Sequence, residues 1–402
     1  MTLVGQPLKA TLRGNATASH VLILSLVHPD FLAPLYSISQ VLRDHGHFVD
    51  LFCFSSPAKG KVELRNGITI HDYGAHAGNA LQRYRQRRRL ALGARDWMAA
   101  HQATAVFASC PFSLLLGLRI AGRRVPVVYI SFEVYEPRLT NVFRSPATTV
   151  RNWRARRAVS AATVVCAPSE QRARWLQQQA HLSRLPIVLL NAPYGQGANV
   201  THQQRLALRT ELVPATLRGK RLVLHTGKVS ATQGVLELVE SVQHWPDDAA
   251  LVVTRMASDD YCWAVRDSAA KSVRRTDIAL LPMLSREDML ALQSISDIGV
   301  CLLREGTNLT TDLPAPNKVG EYLHAGLFVV GTQSAFLAEL ERRGIALSVT
   351  SLNPEAVARG VSEALERVAK ADWPSKVRDQ VNRWYRMEVQ LEPVVSALGL
   401  SS

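Results

Sequence analysis

Two successive series of short, continuously apolar runs, separated by helical patterns, constrain the fold of this 402-residue chain more than any other feature. The first series is His20 to Val27, Phe48 to Phe54, Ala105 to Ser109, Val125 to Ser131, Val164 to Ala167 and Ile187 to Leu190. Helical patterns lie between them near Leu35 to His45, Ala80 to His101, Pro111 to Ala121 and Ser169 to Ala180. Short runs with no polar alternation are strands buried on both faces, as a parallel sheet covered by helices requires. Asn191-Ala192-Pro193-Tyr194-Gly195-Gln196-Gly197 then interrupts the pattern with a proline and two glycines, and reads as a hinge. The second series is Arg221 to Thr226, Ala250 to Thr254, Ile278 to Leu281, Ile298 to Leu302, Phe328 to Gly331 and Ala346 to Val349. Its helices are expected near Gly234 to Val242, Asp259 to Ser272, Glu287 to Ser294 and Ala335 to Arg343. After Pro354 the pattern is helical, with Val357, Val361, Leu365 and Val368 at helical spacing and a last stretch from Val377 to Leu398. The chain is therefore expected to be α/β, with doubly wound domains over residues 1–193 and 194–374 and a helical segment over 375–402. Ligands of open parallel sheets bind beyond the carboxyl ends of the strands, so the cleft between two such domains is the expected site.

The net charge of +14 is unevenly divided. Residues 1–200 hold 24 Lys and Arg against 9 Asp and Glu, giving +15, whereas residues 201–402 hold 23 against 24, giving −1. A field confined to one half points to an anionic partner there. Its densest cluster is Arg83, Arg85, Arg87, Arg88 and Arg89, interleaved with Leu81, Tyr84, Leu90 and Leu92. As a helix this is basic and partly amphipathic, and it fits either peripheral contact with anionic lipid headgroups or a solvated face. A nucleic acid partner is not expected, because no recognisable reading module accompanies the arginines. Cys53, Cys110, Cys166, Cys262 and Cys301 are scattered singly, which reads as reduced core residues, and no metal-ligand spacing is present. Met1 to Ser19 lacks an uninterrupted apolar stretch and no run approaches a spanning helix, so a cytoplasmic protein is expected, with the inner face of a membrane as a further place for it.

The segment Pro314-Ala315-Pro316-Asn317-Lys318-Val319-Gly320-Glu321-Tyr322-Leu323-His324-Ala325-Gly326 reads as loop, helix and glycine stop before a buried strand. The spacing predicts a helix from Asn317 to Ala325 with Asn317 as a cap. A helix N-terminus at a strand end is an anion site; Lys318 lies in its first turn and Glu321 one turn further in. Upstream, His225-Thr226-Gly227-Lys228 follows a strand and Gln233-Gly234 opens the next helix. A nucleotide diphosphate fits the arrangement of that helix N-terminus with Lys318 and Glu321. A phosphate-binding Walker loop would need glycine at Leu222 and is excluded.

The Pro-Asn-Lys-x-x-Glu-Tyr core resembles the donor-binding signature of glycosyltransferase family 4 (glycosyl transferases group 1), and the strand, Gly-Lys, loop and helix order upstream is similar to the same family. The resemblance implies the GT-B fold: two Rossmann-like domains, an interdomain cleft and a C-terminal helix that crosses back to the N-terminal domain. It implies transfer of a hexose from a nucleotide diphosphate sugar, with retention, to a hydroxyl of a saccharide or lipid-linked acceptor in cell-surface polysaccharide synthesis. No metal or other cofactor is implied, nor a side-chain nucleophile, since the departing phosphate is thought to take the acceptor's proton. By resemblance Gly227, Lys228, Gln233, Met283, Asn317, Lys318 and Glu321 bind the donor, Glu321 on the ribose, and Met283 stands in the loop that meets the base. Glu133, closing the run Val-Pro-Val-Val-Tyr-Ile-Ser-Phe-Glu, is the candidate catalytic group near the acceptor. His28-Pro29-Asp30 follows the first strand and can also meet the acceptor or sugar.

The chain departs from the family pattern at three places. Leu313 replaces a sugar-facing glutamate, with Asp312 as a neighbouring substitute; Gln233 replaces the second diphosphate cation, which leaves the grip weaker or completed by Lys318; and Phe132 replaces a histidine before Glu133. A further family histidine is lost within Ser109-Cys110-Pro111. These losses leave a divergent active enzyme or a non-catalytic GT-B protein that binds a nucleotide or partner, and an epimerase of nucleotide sugars would share the fold.

Overall fold

The computed structural model describes residues 19–55, 61–134, 146–195, 197, 200–306, 312–370 and 373–400. Met1 to Ala18, on which part of the cytoplasmic expectation rests, and Gln196 of the expected hinge lie outside them. In the first domain β1 (His20–Leu24), β2 (Phe48–Ser55), β3 (Val62–Arg65), β4 (Ile68–Ala75), β5 (Ala103–Ala108), β6 (Val127–Ile130), β7 (Val164–Ala167) and β8 (Ile187–Val188) form one sheet. Its order is β3-β4-β2-β1-β5-β6-β7-β8, parallel except for the β3–β4 pair. The second sheet contains β9 (Arg221–His225), β10 (Ala249–Val253), β11 (Ile278–Leu280), β12 (Ile298–Cys301), β13 (Phe328–Thr332) and β14 (Ala346–Val349). Its order is β11-β10-β9-β12-β13-β14, parallel throughout. The central strands are apolar because both faces are covered: Val21 to Leu24 and Leu222 to Leu224 are fully buried. Strand order reverses between β1 and β5 and between β9 and β12, which opens a crevice at the carboxyl end of each sheet. All five cysteines are buried and free. Among the described residues no helix is long and apolar enough to cross a membrane.

Several elements differ from the sequence expectation. The β3–β4 hairpin was not anticipated; it turns on Asn66 and Gly67, both at positive φ, the pairing a two-residue turn between twisted strands demands. Helices Pro146–Ala158 and His202–Leu212 were also unforeseen, the second opened by a reciprocal Thr201–Gln204 cap. The expected single helix from Val377 to Leu398 is two, Trp373–Trp384 and Met387–Leu398, separated where Arg386 takes extended backbone. The break turns the chain so that Met387 N donates to Pro193 O at 2.8 Å and Met387–Leu398 packs on helix Ala33–Asp44 of the first domain.

Helix Asn317–Ala325 is wedged between the hinge and the chain's end. A Cβ at Gly320 would lie 2.6 Å from Asn191 O and 3.0 Å from Tyr385 Cε1, so only glycine allows this approach. Tyr385 is itself buried. Alanine is the better helix former by roughly 1 kcal/mol, but overpacking against fixed backbone typically costs about 1–3 kcal/mol. Gly320→Ala is therefore expected to lower the urea midpoint; a raised midpoint would show that the helix does not sit this close to the hinge.

Candidate active site in the interdomain cleft

A cleft of about 700 Å³ lies between the carboxyl ends of the two sheets, within the roughly 300–1,000 Å³ of small-molecule sites. Gly227, Lys228, Gln233, Met283, Asn317, Lys318 and Glu321 line it from the second domain, and Asp30, Phe132, Glu133 and Arg172 from the first. A side cavity of about 280 Å³ opens beside it and shares Asp30, Arg286, Asn317 and Glu321. In the larger cleft Arg172, Lys228, Arg255, Arg286 and Lys318 face three carboxylates, Asp30, Glu133 and Glu321. The balance favours an anionic ligand.

Asn317 is the first residue of its helix rather than its cap. Pro316 holds the cap position with extended backbone, so helical geometry begins at Asn317, whose side chain cannot reach back to the first-turn amides; no side chain caps them. Lys318, the next residue, donates from Nζ to Gln233 Oε1 at 2.7 Å and to His225 Nε2 at 3.2 Å. The place where sequence reading found a lost cation is thus filled by an ammonium arriving from the other motif. His225 is fully buried, and burial with the adjacent Lys318 charge holds its imidazole pKa far below the ordinary value. It is neutral and accepts at Nε2. Burial lowers Lys318 as well, against a smaller opposing effect from Cys301.

Tyr322 joins the two motifs. Its ring is fully buried, and its hydroxyl accepts from Thr226 N at 2.8 Å and meets Thr226 Oγ1 at 3.0 Å. That bond fixes the strand end from which Gly227, at φ +90°, and the exposed Lys228 emerge. Glu321 Oε1 accepts from Arg286 Nη1, and its Oε2 accepts from Gln293 Nε2 at 3.2 Å. Each carboxylate oxygen keeps a further lone pair for a ligand donor. Met283 presents an exposed side chain at the rim.

In the first domain Glu133 follows β6 as an exposed residue of the cleft, where desolvation by the surrounding protein raises its carboxyl pKa while Arg172 opposes the shift. Arg172 is buried; Nη1 donates to Phe132 O and Nε to Leu313 O, each at 2.6 Å. Asn191 Nδ2 donates to Ala315 O at 2.8 Å, so two side chains of the first domain bind the loop before helix Asn317–Ala325. His28 is a loop residue whose Nδ1 lies 3.3 Å from both Asp30 N and Asp30 Oδ2, and Asp30 pairs with Arg65 at 2.5 Å. The His28 and Arg65 bonds outweigh burial and hold the Asp30 carboxyl well below its usual range. Sequence reading missed Arg172, Arg255 and Arg286, which no motif marks. Arg255 sits at φ +65° beyond β10, unusual for a side-chain-bearing residue.

Within the arginine cluster, Arg83, Arg85, Arg88 and Arg89 are exposed, as are Leu81 and Tyr84. Arg87 departs from the expected basic face: it turns inward, donating from Nε to His76 Nε2 at 3.0 Å and lying over the Phe112 ring.

Two doubly wound domains facing one another across this cleft make up the GT-B fold. A glycosyltransferase from Rickettsia africae ESF-5 matches with a TM-score of 0.69 at 14% identity, over 95% of this chain and 98% of that one. Anabaena HepE in complex with UDP and glucose matches with a TM-score of 0.69 at 17% identity, over 94% and 99%. Sucrose-phosphate synthase from Thermosynechococcus elongatus gives 0.66 at 13%, over 96% and 100%. No curated protein sequence matches the chain. Residues 35–191 match the model of Glycosyltransferase Family 4.

The neutral burial of His225 makes stability depend on pH. Its folded pKa lies below 6.5, so below pH 6.5 the unfolded chain binds a proton that the folded chain does not, and stability falls with acidification, by up to roughly 1.4 kcal/mol per pH unit for this group. His225→Gln is expected to lose less stability between pH 7 and pH 5 than the parent, measured by urea midpoints. An equal loss in both would contradict a neutral buried imidazole.

Proposed function

We propose that the protein is a retaining hexosyltransferase that uses a nucleotide diphosphate sugar and a hydroxyl-bearing saccharide or lipid-linked saccharide acceptor. One observation carries this reading: the Lys318 ammonium is fixed in the first turn of an uncapped helix, facing the Gln233 side chain across the cleft from which Lys228 also projects. A diphosphate there meets two lysines and the first-turn amides of Asn317 and Lys318, and these stabilise most strongly the charge that develops as the leaving group departs. Glu321, one turn on, takes the ribose hydroxyls, and Met283 lies against the base. The HepE structures hold UDP, UDP with glucose, and UDP-glucose, which favours a uridine donor for this chain too.

The acceptor hydroxyl attacks the anomeric carbon on the face from which the phosphate leaves. The bond from that carbon to the phosphate oxygen breaks, the hydroxyl proton passes to the departing phosphate, and the products are a glycoside of retained configuration and a nucleoside diphosphate. Glu133 orients the acceptor hydroxyl. The lysines meet the charge of the diphosphate, so the reading includes no resident metal or other cofactor.

The acceptor is held at an anionic membrane surface in cell-surface polysaccharide synthesis, on the cytoplasmic side. This part of the reading is supported by a face on which helices Ala80–Ala100 and Pro146–Ala158 flank helix Pro111–Ala121. It exposes Leu81, Tyr84, Val150 and Trp153 among Arg83, Arg85, Arg88, Arg89, Arg154 and Arg157. Sedimentation with vesicles rich in anionic lipid, and none with neutral vesicles, checks it.

Calorimetric titration with UDP and GDP tests the donor site. Binding of one nucleotide, weakened about tenfold or more by Glu321→Ala, is expected, since a hydrogen bond to a charged group contributes roughly 1.5–3 kcal/mol. Absence of binding by either nucleotide would refute the reading. Binding without turnover of any donor would instead leave a non-catalytic GT-B protein.

A further inference from the structure

We propose that Arg172 binds an oxyanion of the substrate, a carboxylate or phosphate borne by the transferred sugar or by the acceptor where the two meet. The inference rests on the cleft being a sugar-transfer site. It concerns a residue that the donor-binding motifs do not include.

Arg172 belongs to helix Glu170–Ala180 and its backbone N–H is capped by Ser169 Oγ at 3.3 Å, which fixes the base of the side chain. The residue is only 5% exposed, yet it lines the cleft. Its Nη1 and Nε are spent on the carbonyls of Phe132 and Leu313, one in each domain. A guanidinium has five N–H donors, and the Nη2 amino group has no protein partner among the described residues. Nor does any described carboxylate lie within ion-pair distance of it; Glu133 acts on it only through its field. Burial therefore works against the charged form of Arg172, and among the described residues only the field of Glu133 favours it, with no ion pair formed.

A buried cation without a counterion is expensive, and proteins keep one where a ligand completes it. Joining two carbonyls needs N–H groups but no charge, and a neutral amide would do it without the desolvation penalty. Phe132 and Leu313 present no side-chain charge to the cleft, and Arg172 is a first-domain cation that bridges the two domains there. Lys228 and Lys318 come from the second domain alone and are already placed for a diphosphate. The planar fork of arginine suits a carboxylate or a phosphate, which accepts two parallel hydrogen bonds.

Full-length protein, Arg172→Gln and Arg172→Lys are titrated calorimetrically with whichever of UDP and GDP binds, then with its hexose and hexuronate esters. Inorganic phosphate is titrated last, with and without saturating nucleotide. If the oxyanion is on the transferred sugar, the hexuronate ester binds about tenfold or more tighter than the hexose ester. Arg172→Gln erases that preference, Arg172→Lys keeps part of it, and affinity for the bare nucleotide is unchanged. If it is on the acceptor, the two esters bind alike, and phosphate binds the nucleotide-loaded protein with an affinity that Arg172→Gln abolishes. Equal affinities of the parent and Arg172→Gln for both esters and for phosphate would overturn the proposal. Failure of the parent to bind either nucleotide would refute the donor-site reading instead, and phosphate binding to the unliganded parent and Arg172→Gln would then decide the role of Arg172. Should Arg172→Gln not fold, the ester preference and phosphate affinity of Arg172→Lys decide: a partial loss supports the proposal and no change overturns it.

Discussion

Everything that positions the cleft passes through the packing of one nine-residue helix, Asn317–Ala325. Its faces serve different neighbours because successive residues point about 100° apart. Gly320 lets the helix touch the hinge carbonyl of Asn191 and the ring of Tyr385. Tyr322 reaches into the second domain and holds Thr226. Lys318 and Glu321 face the cleft. Hinge, terminal helices, sheet and ligand site are therefore read from a single rigid element. Displacing that helix would disturb all four together.

The electrostatic logic of the site follows from where charges are buried. Gln233 leaves an uncharged carbonyl oxygen at the entrance of the helix after β9, and Lys318 brings its ammonium to that oxygen. The exchange keeps positive charge at the helix N-terminus while moving its source to the opposite motif. The neutral His225 behind it supplies a second acceptor and leaves one ammonium N–H for a ligand. The arrangement is preorganised, because the lysine is held by neutral partners that do not cancel its charge. Glu321 differs: its oxygens are already engaged by Arg286 and Gln293, so a ribose would join an existing network rather than build one.

Much of this was legible in the sequence, for physical reasons that also explain what was missed. Continuous apolar strands, the Asn191–Gly195 break and the helix from Asn317 to Gly326 each leave a local signature, so the two sheets, the hinge and the bounds of that helix were readable. The β3–β4 hairpin carried an Asn66-Gly67 turn and helix His202–Leu212 a Thr201–Gln204 capping box, and both signals were passed over. Helix Pro146–Ala158 had almost no apolar periodicity, since its exposed face carries Val150 and Trp153. Contacts across the cleft were not legible. Arg172 stands 141 residues from Leu313 and Asn191 stands 124 from Ala315, and nothing near either residue in sequence marks the partner. The loss of a cation at position 233 left a weaker grip or its completion by Lys318 as alternatives, and the fold brings the Lys318 ammonium to Gln233.

The central claim is that the diphosphate of a nucleotide sugar sits between Lys228, Lys318 and the first turn of helix Asn317–Ala325. A crystal structure of the protein soaked with the nucleoside diphosphate it binds tests this most directly. The account predicts a phosphate oxygen within hydrogen-bond distance of Lys318 Nζ and of a first-turn amide, with a ribose hydroxyl on Glu321. A nucleotide bound elsewhere, or one whose phosphates turn away from Lys318 toward solvent, would contradict it.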